Sequence, residues 1–179
     1  MLDLVIQKEK IKELAIKNGS VQEELYKDSI FLPYITLPNA KGKGTMMEEY
    51  FAWYFNESGI KTDWITTNAN YDFLMGDRKI RVELKVASIG KHSKIAFNQL
   101  HFGTERKVDK FLFIVIKPSN DIDMFLLDKK DLQYGKIRTQ KQHGQQETNC
   151  ARYYNTYENM VEELRDFRID IDELKYIVS

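Results

Sequence analysis

The chain has 179 residues, of which 42% are apolar and 30% are charged, and its formal net charge at pH 7 is zero. This size and composition are typical of a globular domain and argue against a disordered chain or a protein that is basic throughout. Since no apolar run approaches about 18 residues and the first residues carry several charges, we expect neither a membrane span nor a secretory signal. The single cysteine, Cys150, cannot form an internal disulfide, so we expect a cytoplasmic protein.

The first part of the chain is predicted to be helical. Residues 2–18 have roughly helical spacing, and a capping box of Ser20 and Glu23 predicts a short second helix. A connection over 28–43 contains prolines and glycines, and Thr45 is the predicted cap of a third helix that Gly59 ends. Trp53 on this helix and Trp64 beyond it are predicted core residues. We expect residues 1–43 to form an N-terminal helical extension and the core to begin at 44.

Strands dominate the prediction from residue 60 to residue 128. Residues 60–66 predict a first strand, 71–87 a hairpin, and 111–117 and 122–128 two more strands joined by a turn, while the structure of 94–102 stays open. The core is expected to span 44–128. Residues 134–155 are polar and predict a loop, and 156–179 predict a C-terminal helix and tail. No internal repeat or linker divides the chain, so a single domain over 1–179 is expected.

The hairpin carries the chemically informative pattern. In its second strand Ile80, Val82, Leu84 and Val86 point one way, and Arg81, Glu83 and Lys85 point the other. If Gly76-Asp77 is a two-residue turn, Asp72 lies opposite Arg81 and diagonal to Glu83. Two carboxylates at that separation can share one divalent cation, with Lys85 one pleat further along.

An ordinary solvated strand face explains the same residues, and the chain contains similar patterns elsewhere. Glu173-Leu174-Lys175 repeats the tripeptide behind several aspartates, and Asp128-x-Lys130 is a near match. Neither lies on a predicted hairpin with an alternating apolar face, which favours the stretch at 83–85.

With its surroundings, the hairpin resembles the PD-(D/E)xK nuclease superfamily. The order that carries the resemblance is Gly44-x3-Glu48 on a helix, then a strand, Asp72, Glu83-Leu84-Lys85, and Gln99 in the next segment. The resemblance implies an α/β (α+β) restriction-endonuclease-like fold, with a central mixed sheet of about five strands flanked by helices and a catalytic core over 44–128. Tyr71 stands where many members have a proline.

The resemblance also implies roles for the matching residues. Asp72 and Glu83 are expected to ligate Mg²⁺, which Mn²⁺ can replace, together with the Leu84 carbonyl. Glu48 is expected to be an auxiliary acid near the metal, with Glu49 as its competitor, and Gln99 to support the site. Lys85 is expected to orient or deprotonate the attacking water.

Basic residues around the hairpin predict contacts with DNA. They outnumber acidic residues by nine to four over 76–110 and by four to one over 132–155. The alternative to DNA contact is that these charges form ordinary solvated faces, and that 134–155 is a mobile surface loop. The predicted nucleic-acid contacts are Lys91, Lys94, Arg138, Lys141, Gln142, His143 and Arg152.

Three functions remain open at this level. The first is a Mg²⁺-dependent DNA endonuclease, a bacterial or phage type II restriction-like enzyme acting on double-stranded DNA as a homodimer. The second is a repair or Holliday-junction-type nuclease of the same fold. The third is a DNA-binding or protein-binding module without catalytic activity.

Overall fold

The computed structural model describes residues 21–67, 70–141 and 150–179, and within them the chain is a mixed α+β protein built on two β-sheets. The predicted helix over 2–18 lies outside the described residues. Helices of the described part are α1 Val21–Leu25, α2 Leu32–Thr36, α3 Ala40–Glu57, α4 Lys129–Gln133, α5 Tyr157–Glu163 and α6 Ile171–Val178. None of these helices combines the length and apolar character that crossing a membrane requires.

The main sheet is mixed and has six strands in the order β1-β2-β3-β5-β6-β9. Its strands are β1 Thr62–Trp64, β2 Phe73–Met75, β3 Ile80–Ser88, β5 Lys110–Ile116, β6 Ile122–Asp128 and β9 Arg168–Ile169. All neighbouring pairs are antiparallel except β3 and β5, which are parallel. The two apolar strands predicted at 111–117 and 122–128 are confirmed as β5 and β6, and the sheet has one strand more than the expected five.

A second, antiparallel sheet has the order β4-β8-β7, with β4 Lys94–His101, β7 Gln140–Lys141 and β8 Cys150–Thr156. The pairing of β4 with β8 shifts between Phe97 and Leu100, where Gln99 has a φ of 54°. The prediction of a loop throughout 134–155 is therefore wrong at β7 and β8.

The main sheet is covered on both faces. On one face Val82 and Leu84 of β3 pack in the same apolar cluster as Met47, Phe51 and Phe55 of α3. On the other face Phe113 of β5 stacks on Phe97 of β4, with 4.2 Å between ring centroids. Because both faces are buried, β5 is apolar at nearly every position rather than at alternate ones.

Two helical predictions need correction. Helix α3 begins at Ala40 rather than after Thr45, because Asn39 caps it with a side-chain oxygen that accepts from Gly42 N at 2.5 Å. The boundary expected at 43/44 thus falls inside this helix. The segment 156–179 is not one helix and a tail: α5 ends at Glu163, and strand β9 and helix α6 follow.

Candidate active site

The hairpin of β2 and β3 has a different register from the predicted one. Phe73 pairs with Val82, Leu74 with Arg81 and Met75 with Ile80, because residues 76–79 form a four-residue turn. The prediction that Asp72 lies opposite Arg81 is therefore wrong, and the shift of two residues brings Asp72 level with the Glu83–Leu84 region. Strand β2 begins at Phe73, which pairs with Val82, so among the described residues β3 has no ladder partner on this edge beyond Val82.

Asp72 bridges the two strands where their ladder ends. Its backbone N donates to Val82 O at 3.0 Å, and its Oδ2 accepts from Leu84 N at 2.8 Å. The N–H and C=O of one strand residue point to the same side, so the Leu84 carbonyl faces the same edge as the Asp72 carboxylate. Within the described residues, the Leu84 N–H is the only hydrogen-bond donor to the Asp72 side chain.

Glu83 and Lys85 project together from the face of β3 opposite Val82 and Leu84. Lys85 Nζ lies 2.7 Å from Glu83 Oε1, and the two side chains are only 18% and 15% exposed. Their ion pair is therefore shielded from solvent, unlike a typical surface pair. The predicted convergence of an acid and a lysine at this point of the strand is present in the structure.

Helix α3 brings a third carboxylate to this place. Glu48 is half-buried and its Oε2 accepts from Trp64 Nε1 at 3.3 Å, whereas Glu49 is exposed. The side chain of Trp64 thus orients the acid, a contact that the prediction of Trp64 as a core residue missed. Trp64 is partly buried and packs against the apolar cluster, as predicted, whereas the prediction for Trp53 is wrong, since it is 57% exposed.

The electrostatics of Asp72 show how closely these groups lie. Burial, together with the negative charges of Glu83 and Glu48, raises the pKa of Asp72 from 3.8 to about 7, although the Lys85 ammonium and the Leu84 N–H act in the opposite direction. A carboxyl whose pKa is shifted this strongly by burial and by neighbouring carboxylates is typical of functional sites.

A cleft of about 610 Å³ opens beside these residues, between α3, β3 and β4. Glu48, Lys85 and Gln99 all line it. Asp72 and Glu83 are not lining residues, but each contacts one: Asp72 binds Leu84 N and Glu83 binds Lys85 Nζ. The structure therefore brings Asp72, Glu83, Lys85 and Glu48 together and places Gln99 across the cleft, where the irregularity of β4 gives it a positive φ.

The donor set suits a hard divalent cation, although its side chains are not arranged around one. Carboxylates and a strand carbonyl are the oxygen ligands that Mg²⁺ takes, usually with retained waters. Within 21–67, 70–141 and 150–179, no three His, Cys, Asp or Glu side chains form a ready metal-binding group. Glu83 is turned to Lys85, so a cation between Asp72 and Glu83 requires a change of the Glu83 rotamer.

No family model and no curated protein sequence matches this chain. The assignment of the site therefore depends on the geometry of its own residues. The two similar patterns elsewhere have structural explanations: Asp128 caps α4, and Glu173 completes the capping box of α6 while Lys175 is exposed.

The predicted DNA contacts within the described residues lie on or beside the second sheet, and only some of them contact one another. Lys91 is exposed in a short 3₁₀ turn before β4, and Arg138 and Lys141 are exposed before and within β7. Gln142 and His143 lie outside the described residues. Lys94 and Arg152 come together on the outer face of the second sheet, where Lys94 Nζ and Arg152 Cζ each lie 5.4 Å from the ring centroid of Tyr154.

Proposed function

We propose that this chain is a Mg²⁺-dependent DNA endonuclease that hydrolyses phosphodiester bonds, of the type II restriction-like kind, and that it acts as a homodimer. One observation carries the proposal: Asp72 is held with a raised pKa between two further carboxylates and a lysine at an open strand edge. The crowding of negative charge costs folding free energy, and a bound divalent cation relieves it.

The residues fit the demands of phosphodiester hydrolysis. A divalent cation at this site supplies Lewis acidity toward the phosphoryl oxygens and lowers the pKa of bound water. Asp72, Glu83 and the Leu84 carbonyl are the groups that hold it, and Glu48, oriented by Trp64, contributes from the opposite side. Asp72 is ionised in the bound state, because the cation outweighs the neighbouring carboxylates.

Lys85 supplies the positive side-chain charge of the site. In the structure its ammonium is bound to Glu83, and it lines the cleft. If Glu83 held a cation instead of Lys85, the ammonium would face the cleft, where it would stabilise the negative charge that develops on a scissile phosphate and orient the attacking water. Gln99 lines the opposite wall and would support the site from there.

The outer face of the second sheet supplies affinity for DNA. Its strands β4, β7 and β8 contain no acidic residue, and Lys94, Tyr154 and Arg152 form a cationic and aromatic cluster there. Lysine and arginine contact phosphates, and an exposed tyrosine can pack on a sugar or a base. Together with the exposed Lys91, Arg138 and Lys141, this cluster gives the polyanion a surface next to the cleft.

Incubation with a mixed-sequence plasmid, with and without Mg²⁺, tests the proposal. We expect discrete Mg²⁺-dependent bands, and we expect Lys85→Ala to abolish them while DNA binding is largely retained. The melting temperature of this variant should fall, because the shielded carboxylate of Glu83 loses its partner, so cleavage is compared at a temperature where both proteins are folded. Lys175→Ala, at the similar tripeptide on α6, is the matched control and keeps full activity. Wild-type turnover in Lys85→Ala excludes the proposed site.

The same assay separates the other functions. Smearing, or cleavage confined to branched DNA, indicates a repair or junction-resolving nuclease that uses the same residues. Binding without cleavage in every metal tested indicates a DNA-binding module, and the absence of both contradicts the proposal entirely.

A further inference from the structure

The cleft has a charge pattern that the nuclease residues do not explain by themselves. The three carboxylates of the candidate site come from Glu48, Asp72 and Glu83, and Glu48 is the one acidic residue among the described residues that line the cleft. The other lining side chains are neutral or belong to Lys41, Lys43 and Lys85, so an anionic centre lies beside walls that are otherwise positive or neutral. This is the arrangement expected for a ligand whose backbone is negative throughout and whose reacting group must reach a cation.

The wall formed by α3 is especially well suited to phosphates. Lys41, Lys43 and Thr45, from the first two turns of the helix, line the cleft. Lys41 is exposed, and within the described part of the chain it has no carboxylate partner. Its ammonium is therefore available to a ligand, in contrast to Lys85, which is paired with Glu83.

Lys43 is held in position rather than free to move. Its Nζ donates to Ile35 O at 2.8 Å and lies 5.4 Å from the ring centroid of Tyr34, another lining residue. An ammonium has three donors, so two remain after the bond to Ile35. A fixed cation at a cleft wall binds an anion with a smaller loss of side-chain entropy than a mobile one.

Gly44 lines the cleft between the two lysines and Glu48 and adds no side chain there, so the helix backbone is accessible at this position. A Cβ built on it comes no nearer than 3.7 Å to Glu48 Oε1, which is an ordinary contact, so the fold has room for alanine here. A glycine inside a helix lowers stability relative to alanine. Its presence at a lining position is explained if a ligand approaches the helix backbone closely.

We propose that the first two turns of α3 form a phosphate-binding wall, on which Lys41 and Lys43 hold DNA phosphates next to the one that is cleaved and Gly44 permits their close approach. This inference rests on the proposed nuclease function. Lys41, Lys43 and Gly44 are positioning residues, since they hold the substrate strand in the cleft and take no part in the reaction itself.

The test measures binding of a labelled DNA duplex at several salt concentrations, with Ca²⁺, which takes the same oxygen ligands, in place of Mg²⁺. Each phosphate contact contributes about 0.9 to the slope of log K against log salt. We expect Lys41→Gln and Lys43→Gln to lower the slope by about that amount each, and equally for unrelated DNA sequences. Lys41→Arg restores the slope.

Lys61→Gln is the matched control, because Lys61 is an exposed lysine that follows the C-terminal end of this 18-residue helix, whereas Lys41 and Lys43 lie in its first turns; the helix is about 27 Å long at 1.5 Å per residue. Its slope should equal that of the wild type. Gly44→Ala gives an independent readout: we expect a higher melting temperature together with a raised KM for plasmid cleavage. A purely structural role for Gly44 predicts that stability and activity rise or fall together.

Two results overturn the proposal in distinguishable ways. If the wild type cleaves DNA but Lys41→Gln and Lys43→Gln have the slope of Lys61→Gln, the wall is not a phosphate site and the nuclease function stands. If the wild type neither binds nor cleaves DNA, the proposed function fails and the wall fails with it.

Discussion

Replacing Asp72 by asparagine should stabilise the protein at neutral pH when no divalent cation is present. Asparagine has nearly the same shape, and its side-chain oxygen can still accept the hydrogen bond from Leu84 N. What it removes is a negative charge that is buried beside Glu83 and Glu48 and only partly offset by Lys85. The substitution therefore relieves repulsion without opening a cavity.

The size and sign of the effect follow from the pKa. The folded state raises the pKa of Asp72 from 3.8 to about 7, so folding favours the protonated carboxyl. The contribution of Asp72 to stability is consequently present at about pH 4, falls as pH rises to about 7, and is lost above that range. At about 1.4 kcal/mol for each pKa unit, the folded state loses about 4 kcal/mol, an order-of-magnitude value.

The assay is the free energy of unfolding from urea titrations between pH 4 and pH 8 in EDTA. We expect wild type and Asp72→Asn to be equally stable at pH 4 and the variant to be more stable by a few kcal/mol at pH 8. Titrating groups that do not interact with Asp72 contribute equally to both proteins and cancel, so the difference reports Asp72 together with its charged neighbours Glu83, Glu48 and Lys85. Asp63→Asn, an exposed aspartate on β1, serves as the control and should show no pH-dependent difference.

Adding Mg²⁺ at pH 8 should reverse the ranking. The cation stabilises the wild type, because it binds the folded site and not the unfolded chain, whereas Asp72→Asn gains little. If Asp72→Asn is less stable than the wild type at pH 8 in EDTA, the carboxylates do not repel one another and the reasoning from the raised pKa is refuted.

Two further predictions concern the scaffold. Gly76→Ala should destabilise the fold far more than Gly135→Ala. Both glycines have a φ of 69°, but a Cβ on Gly76 would clash with the backbone carbonyl of Val178, while one on Gly135 meets nothing within 4 Å. Melting temperatures check this, and equal losses contradict it. Asp123→Ala should cost about 3–5 kcal/mol at pH 7, because its 3% exposed carboxylate binds Lys117, Arg168 and the Tyr157 hydroxyl. Burial alone raises the pKa of Asp123, but those three partners lower it further than burial raises it. The stabilisation that Asp123 contributes is therefore present above about pH 4 and is lost as pH falls. If the destabilisation caused by Asp123→Ala does not shrink in acid, the prediction is contradicted.

The alternation of β3 could be predicted from sequence, but the partner of each residue could not. Apolar and charged residues alternate cleanly from Ile80 to Lys85, and the structure places them on opposite faces. The register between β2 and β3 depends on the length of the turn that joins them, and the prediction took two residues for this turn where the structure has four, 76–79. Lys79 has a φ of 51°, a conformation that lysine rarely adopts, and the turn packs against the C-terminal helix at Val178. Neither effect has a local signal in the sequence.

The second sheet was missed for two different physical reasons. In β4 the apolar positions are Ile95, Phe97 and Leu100, so the irregularity after Phe97 changes the spacing from two to three and hides the strand period. In β8 the alternation of buried Ala151 and Tyr153 with Arg152 is regular, but it spans few residues inside a polar segment. That short pattern was the signal that could have revealed the strand.

The start of α3 has a local signal in the sequence, the cap residue Asn39. Asn39 follows Pro38 and precedes the first helical residue, which is a normal helix beginning. The two glycines at 42 and 44 favoured a loop because glycine lowers helix propensity. Here Gly42 N is satisfied by the Asn39 side chain, and Gly44 faces the cleft. Local preference therefore failed at the point where the helix meets the candidate site, as expected where function competes with stability.

The position of the site follows from the incomplete pairing of β3. β5 covers one edge of this strand from Val82 to Ser88, but β2 covers the other edge only from Ile80 to Val82. An unpaired stretch inside a sheet leaves N–H and C=O groups that must find other partners. Asp72 satisfies Leu84 N, and among the described residues no strand pairs with β3 beyond it, so the cleft forms there. The short β2 thus leaves Leu84, Lys85 and Glu48 lining one opening, with Asp72 and Glu83 bound directly to lining residues. A variant that extended β2 by pairing with residues 84–86 would therefore gain hydrogen bonds and lose the cleft.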